Sequence, residues 1–513
     1  MRSGRLGLGV GAAVVAAIVG CGGSGGGSSR GQATAPVSSG APVTTGTVGS
    51  PPSISVFAPL APVVSETVSL QVVITDLDGD PAHVLAEFST DEGRTFWPAT
   101  LSVGPGAQGF TTSPAGEAHA IVWDAARDVG RTLRHFVRVR VTALDLHGPS
   151  APAETATFTL DATALPVGLA NLVVPLDPAG PDRVVAYDVS TQGALTRRAV
   201  QPATSGRGRQ MSSASGIAST PRGHLLVVSH NDSAELDVYG VGPTGELAKV
   251  PGSPFACAGN PTGLVMHPGG RFVYTTNGAR LEAFALDPVS GALTPLPGSP
   301  FDVGSSPRDL AVDPRGDALY TGHMFGAETG VRVHRLDPAT GVPTFASSLT
   351  LPGASRPGKA LAVDAKGDRL FCLDLDAGLY VATIDAQTRA LTLVAGAAPR
   401  ALGGFAHGLA LTTRGDKVYA TVQGVGLLGF RVGPTGALTA VPGSPVANVG
   451  TTSLYLLADA TDRFLFVSSR GADLLHTYAI EPVTGAVVEV PGSPRLDATV
   501  GAIVGPLVAM PAR

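Results

Sequence analysis

The hydrophobic pattern along most of the chain is that of short strands. Between residues 53 and 162 apolar and polar positions alternate in five runs, 68–74, 84–88, 119–123, 136–142 and 155–160. A period of two turns one side of each run to a core and the other to solvent. Runs of this length, separated by turn residues, predict a β-sandwich of about 100 residues over 53–162. Beyond residue 163 the pattern becomes periodic.

Three phrases recur there. The first is a turn: Asp287-Pro-Val-Ser-Gly-Ala-Leu293, Asp337-Pro-Ala-Thr-Gly341, Glu481-Pro-Val-Thr-Gly485, with Gly242-Pro-Thr-Gly-Glu-Leu247 and Gly433-Pro-Thr-Gly-Ala-Leu438. The second follows it: Pro251-Gly-Ser-Pro254, Pro297-Gly-Ser-Pro300, Pro442-Gly-Ser-Pro445 and Pro491-Gly-Ser-Pro494. The third is a hairpin over 310–320, echoed at 264–274, 361–371 and 409–419. In its Asp-Pro-Arg-Gly turn, Pro suits the first central position and Gly accepts a positive φ. A period of about 50 residues in all-β sequence predicts four-stranded propeller blades.

Inner strands are expected near Gly216, Leu264, Leu310, Leu361, Leu409, Leu456 and Ile503, which gives seven blades. These strands are short and apolar, as expected of strands buried on both faces. Residues 170–192 read as the later part of a blade, and 501–510 as an inner strand without a successor. Together they are expected to complete one blade and close the ring without a free edge. The fold class is therefore all-β: a small immunoglobulin- or fibronectin-like sandwich at 53–162, then a seven-bladed propeller at 163–513.

The first fifty residues are different. Arg2 and Arg5 precede a short apolar stretch that ends in Ile18-Val19-Gly20-Cys21. That order resembles the lipobox of bacterial lipoproteins, which implies a signal peptide at 1–20 and acylation of Cys21. Several acyl chains would anchor the protein firmly to a membrane. Gly22 in place of Asp favours the outer membrane. Residues 21–52 are Gly, Ser, Thr, Ala, Val and Pro almost throughout, a composition that cannot offset its own ordering entropy and predicts a tether. The expected location is the bacterial cell envelope, exported and lipid-anchored.

Composition narrows the function. Net charge is −5, and no dense Lys/Arg patch exists to neutralise phosphates, so nucleic acid is not an expected partner. Gly (67) and Pro (42) exceed a fifth of 513 residues, in keeping with many tight turns. Three cysteines, Cys21, Cys257 and Cys372, make neither a disulfide framework nor a zinc spacing, and the last two read as buried thiols. Apart from the Gly22-Gly-Ser-Gly-Gly26 run of the low-complexity segment, which has no strand-to-helix context, no Gly-x-Ser-x-Gly elbow, phosphate-binding loop or His-Glu-x-x-His motif is present.

Two motifs lie in the sandwich region. Asp76, Asp78 and Asp80 alternate around Gly79 and could offer oxygens to Ca²⁺, or cap the backbone of their own loop. No other cofactor is expected. Ser89-Thr-Asp-Glu-Gly-Arg-Thr-Phe96 resembles the Asp-box hairpin of sialidase-like propellers and reads as a structural turn.

The repeats over 165–513 resemble the seven-bladed lactonase family, which includes 6-phosphogluconolactonase and muconate-lactonizing enzymes. The Asp-Pro-x-(Ser/Thr)-Gly turns, the Pro-Gly-Ser-Pro segments and Ser306-Pro307-Arg308 before an inner strand carry the resemblance. It implies a propeller and, as one possible activity, lactone hydrolysis. Asp309 stands where members often have His, and His230-Asn231-Asp232 is the nearest approach to the family's Asn-Glu pair.

Propeller ligands bind at one mouth of the channel. Aligned repeats place Ser215, Thr262, Arg308, Lys359, His407 and Leu454 just before their inner strands. Arg308, Lys359 and His407 therefore come from three adjacent blades and would attract a carboxylate or phosphate. His323 is a further candidate ligand contact, and His407, His230 and Glu328 are candidate bases for activating water. The expected function is a lipid-anchored binding or scaffold protein for a small anionic ligand, an envelope protein or a glycan. The alternative is a lactone hydrolase.

Overall fold

The alternating runs of the first region pair into two antiparallel sheets. The computed structural model describes residues 49–510 apart from 61, 104–108, 164–171, 174–175, 178–182, 199–215, 232, 243–244, 279, 326–329, 395–398, 448–451, 471–473 and 497–507. Cys21 with the whole 1–48 segment, Glu328 and the strand expected around Ile503 lie outside the described residues. No helix among the described residues is long and apolar enough to cross a membrane. Ser53–Phe57, Thr67–Thr75, Glu117–Asp124 and Leu101–Val103 form one sheet in that order. Trp97–Pro98, His83–Ser89, Leu133–Leu144 and Ala153–Glu154 form the other, and Phe158–Asp161 also pairs with Leu133–Leu144. Four of the five expected runs fall wholly on these strands, and of the fifth, 155–160, only residues 158–160 do.

Val68, Leu70, Val72 and Ile74 turn inward and meet Phe88, Val137, Val139 and Val141 in one core. Phe88 stacks on Trp123 with centroids 5.0 Å apart. Trp123 donates its indole N–H to Asp128 at 2.8 Å, which satisfies the polar end of the most buried aromatic of the sandwich.

The repeats build seven antiparallel sheets among the described residues, five of four strands and two in which a short fifth strand, Phe255–Ala256 or Arg495–Leu496, also pairs with the third. Blades 2 to 7 start at the inner strands Ile217–Ser219, Gly263–Met266, Pro307–Val312, Ala360–Val363, Ala406–Leu411 and Thr452–Ala458. Blade 1 is composite. Ala509–Met510 is its inner strand and pairs with Leu172–Val173, followed by Tyr187–Val189 and Leu195–Arg197. The two ends of the repeat region thus close the ring, as the sequence led us to expect.

One expectation is corrected. The strands buried at every position are the second ones, such as Leu225–His230, Phe272–Thr276, Ala318–His323 and Lys417–Val422. The inner strands are only partly buried, because one side of each borders the channel.

The recurring phrases each do a local job. Asp287 accepts hydrogen bonds from the N–H of Val289 and of Ser290 and from the Ser290 hydroxyl, and Asp337 repeats this with Thr340. In the Pro-Gly-Ser-Pro segments the Ser hydroxyl oxygen accepts a third-strand N–H: Ser253 from Val238, Ser299 from Ala283, Ser444 from Gly429 and Ser493 from Thr477, at 2.9–3.1 Å. A further copy of the turn escaped the sequence reading, because Arg389 replaces the glycine of Asp385-Ala-Gln-Thr-Arg389. Arg389 holds φ at 61°, and its guanidinium fork grips Asp317 of blade 4 at 2.9 and 3.0 Å.

The sandwich sits on the propeller through the Asp-box hairpin. Asp91 holds that hairpin by accepting from Ser89, from the Thr95 N–H and from the Thr95 hydroxyl, so it is structural as read. Its flanks then dock: Thr90 donates to the carbonyl of Pro268, Trp97 to that of Gly269, and Arg94 to that of Arg315 and to Asp317. Asp317 therefore ties Arg94 of the sandwich to Arg335 and Arg389 of two blades. On the far side Arg414 donates to Asp161 at 3.0 Å. All these propeller contacts come from turns between first and second strands or from their neighbours, so the sandwich covers the mouth at which the inner strands end.

Candidate functional site

The opposite mouth is where the chain enters the inner strands. Arg308 lies on the first turn of residues of Pro307–Val312, Lys359 directly precedes Ala360–Val363, and His407 is the second residue of Ala406–Leu411. Equal repeat positions lie at equal height on the ring, and all three side chains are half-buried. Their charges act on one another. Burial and the Arg308 guanidinium lower the Lys359 ammonium pKa, with Asp309 opposing. Burial and then the Lys359 charge lower the His407 pKa, so its imidazole is neutral at pH 7. His407 Nε2 lies 3.5 Å from the Gln423 side-chain oxygen, the outer limit of a hydrogen bond. The Arg308 Nε is buried without a hydrogen-bond partner.

Asp309 belongs to this cluster and was not singled out for chemistry in the sequence. Its carboxylate accepts the backbone N–H of Leu361, on the next inner strand, at 2.8 Å. Burial raises its pKa to about 6, against the backbone hydrogen bonds and the charges of Lys359 and Arg308. A signal existed: the aligned positions in other blades are Gly216, Gly263, Ala360, Gly408 and Tyr455. A lone carboxyl where four of the five aligned residues are Gly or Ala and none is charged marks a position not chosen for packing alone.

Neither His323 nor His230 presents its side chain to this mouth, and Glu328 lies outside the described residues. His323 is fully buried on the second strand of blade 4, with Nδ1 2.7 Å from the Ser305 carbonyl and Nε2 2.9 Å from the Thr321 hydroxyl. Both ring nitrogens are engaged inside the blade, so the expected ligand contact is corrected to a structural histidine. His230 is likewise buried, 3.0 Å from Asp237. That carboxylate also takes the Lys249 ammonium at 2.9 Å and the hydroxyls of Ser253 and Tyr239. A base locked in such a network cannot reach a substrate at the mouth. Cys257 and Cys372 are both free thiols; Cys372 is buried and Cys257 only partly so, and burial pushes the Cys372 thiol up to about 12.

The calcium expectation is also corrected. Asp76 accepts the N–H of Asp78 within its own loop, and Asp78 accepts that of Ser50, 28 residues earlier, so each carboxylate holds a backbone N–H. The His147 ring stands among Asp78, Asp80 and Asp145, with Nδ1 3.5–3.8 Å from their oxygens. No group of three or more His, Cys, Asp or Glu among the described residues is arranged to hold a metal ion.

Comparison with known proteins agrees with this architecture. The family profile described as Lactonase, 7-bladed beta-propeller, matches residues 180–300. The fold is a lactonase-like β-propeller. A Lactobacillus plantarum protein superposes on 67% of the chain and 100% of its own length, with TM-score 0.55 and 17% identity. A Bacteroides uniformis protein put forward as a 6-phosphogluconolactonase covers 67% of this chain and 98% of its own, with TM-score 0.52 and 16% identity. A Bacteroides fragilis protein put forward for the same activity gives 0.54 and 13%, over 66% and 98%. No curated protein sequence matches the chain. In this lactonase-like propeller the sandwich covers one mouth, and the Arg308 cluster stands at the other.

Proposed function

We propose that this protein is a lipid-anchored, extracytoplasmic propeller that binds a small carboxylate or phosphate at the mouth opposite the sandwich. The observation that carries the reading is that Arg308, Lys359 and His407 hold equivalent repeat positions in three successive blades, with the Arg308 charge felt at Lys359 and the Lys359 charge at His407. Two fixed cations with one neutral imidazole and one buried carboxyl favour an anion there, and the low-dielectric wall strengthens each contact. The half-buried guanidinium of Arg308 keeps a donor without an internal acceptor. The lipobox-like Ile18-Val19-Gly20-Cys21 supports the anchor and an envelope location.

A second reading is lactone hydrolysis, favoured by the Asp309 carboxyl within the cationic cluster and by neighbours put forward as 6-phosphogluconolactonases. Above about pH 6 ionised Asp309, or neutral His407, could take a proton from water while Arg308 and Lys359 stabilise the developing oxyanion. Proton release in a pH-stat with a lactone panel, run beside calorimetry on the same sample, separates the readings. Saturable heat without turnover supports binding. Ring opening that is lost in His407→Gln or Asp309→Asn supports the hydrolase.

A further inference from the structure

At the mouth covered by the sandwich lies a half-open cavity of ≈ 420 Å³. Its floor is built from the ends of inner strands and their turns, including Ser219, Met266, Val312, Val363 and Leu411, and its roof from the start of Leu133–Leu144. In a regular strand, neighbouring residues face opposite ways. Here the pairing register shifts between Arg134 and Val137, so Arg134, His135 and Phe136 all line the cavity.

Arg134 is the unusual one. Its guanidinium makes no hydrogen bond or ion pair with any described residue, and Nε is buried outright. Desolvation is the sole influence on its pKa, which it lowers, so no carboxylate of this region neutralises it. Asp313 and Asp364 also line the cavity; Asp364 caps its own turn through the N–H groups of Asp368 and Arg369, and Asp313 takes the Arg315 N–H on one oxygen while its other oxygen, buried without a hydrogen bond, is paired at 3.9 Å with the Arg389 guanidinium. His135 adds a second buried atom without a partner, Nε2, while its Nδ1 lies 3.3 Å from the Thr159 hydroxyl. With that hydroxyl donating to Nδ1, Nε2 carries the ring proton and is a donor too. A guanidinium has five donors and no acceptor; Arg134 is half-buried as a residue, and its buried Nε–H is left without an acceptor at the cavity wall, which is costly.

We propose that this cavity is a second, internal anion site, in which Arg134 with His135 binds a small monovalent anion of carboxylate or halide type between sandwich and propeller. Such an anion touches both layers and holds them together. The site is independent of the Arg308 mouth.

The test uses the full chain. Thermal unfolding is followed at constant ionic strength while acetate or bromide replaces a bulky sulfonate that the cavity excludes. The wild-type midpoint is expected to rise by roughly 2 °C or more with acetate, and Arg134→Met to abolish the rise. Arg134→Met is expected to fold, since it replaces an unpaired cation with an apolar chain of similar length. Bromide-soaked crystals of the wild type give a second readout, with an anomalous peak beside Arg134. An equal response to acetate in wild type and Arg134→Met, or bromide crystals without that peak, overturns the proposal in favour of an arginine solvated by water alone.

Discussion

The Asp309 carboxylate accepts the Leu361 backbone N–H at 2.8 Å, so a charged group of blade 4 is tied to the inner strand of blade 5. The same carboxyl is raised to about 6 by burial. A carboxyl whose folded pKa exceeds its unfolded 3.8 keeps its proton longer in the folded state. Its favourable contribution is full below about pH 4 and is lost as pH rises through about 6. Asp309→Asn should therefore stabilise the protein by roughly 1–2 kcal/mol at pH 8, after allowing for solvent at the mouth, and by almost nothing at pH 4. Denaturant titrations of both proteins across that window check it.

The same ionisation sets the sign for the ligand. Protonating Asp309 removes the negative charge from the cluster, so anion affinity should rise as pH falls from 8 through about 6. Asp309→Asn should bind as tightly at pH 8 as the wild type does at pH 5.5. Calorimetric titration with one phosphate monoester that keeps its charge state accounted for measures this directly.

Ring closure rests on two short pairings, Leu172 with Met510 and Val173 with Ala509. Deleting residues 508–513 removes the inner strand of blade 1 and exposes edges on both sides of the gap. The truncated protein should aggregate or lose its cooperative unfolding transition. A monomer with an unchanged transition in scattering and calorimetry would show that closure lies elsewhere.

Arg389 combines a positive φ with a fork-on-carboxylate pair to Asp317, which also meets Arg94 of the sandwich. Arg389→Gly relieves the backbone but leaves a largely buried carboxylate short of its principal partner. The loss should outweigh the gain, with net destabilisation of roughly 1–3 kcal/mol. Arg94→Ala with Trp97→Phe should cut the sandwich loose, so that one calorimetric transition becomes two.

Much of this architecture was legible because blades repeat. Each Asp-Pro-x-Thr-Gly turn and each Pro-Gly-Ser-Pro segment satisfies backbone groups locally, so sequence and structure speak at the same scale. Alternation located the sandwich strands for the same reason. What could not be read was long-range. The docking of Trp97 on Gly269 joins residues far apart in sequence, and nothing local in the hairpin announces its partner. Arg308, Lys359 and His407 could be set at equal repeat positions because the blades repeat, and whether they form one site is the proposal tested below. His230 and His323 were misassigned because they end second strands, and their side chains turn into the blades rather than toward the mouth. Asp309 was passed over because the family resemblance drew attention to the histidine it replaces.

Replacing Cys21, the residue proposed to carry the lipid anchor, tests location. Cys21→Ala should move the protein from the membrane to the soluble fraction and abolish labelling by palmitate. Unchanged fractionation and labelling would contradict the anchor.

The anion site at the open mouth is tested most directly by isothermal titration calorimetry of wild type and Arg308→Ala, with a panel of small carboxylates and phosphate monoesters. Each charge-assisted hydrogen bond from the guanidinium is worth about 1.5–3 kcal/mol, so losing it should weaken binding by roughly 10-fold or more. Lys359→Ala should behave alike, and Arg134→Met should leave this affinity unchanged. Saturable binding that is the same in wild type and Arg308→Ala, or no saturable heat with any ligand of the panel, would contradict the account.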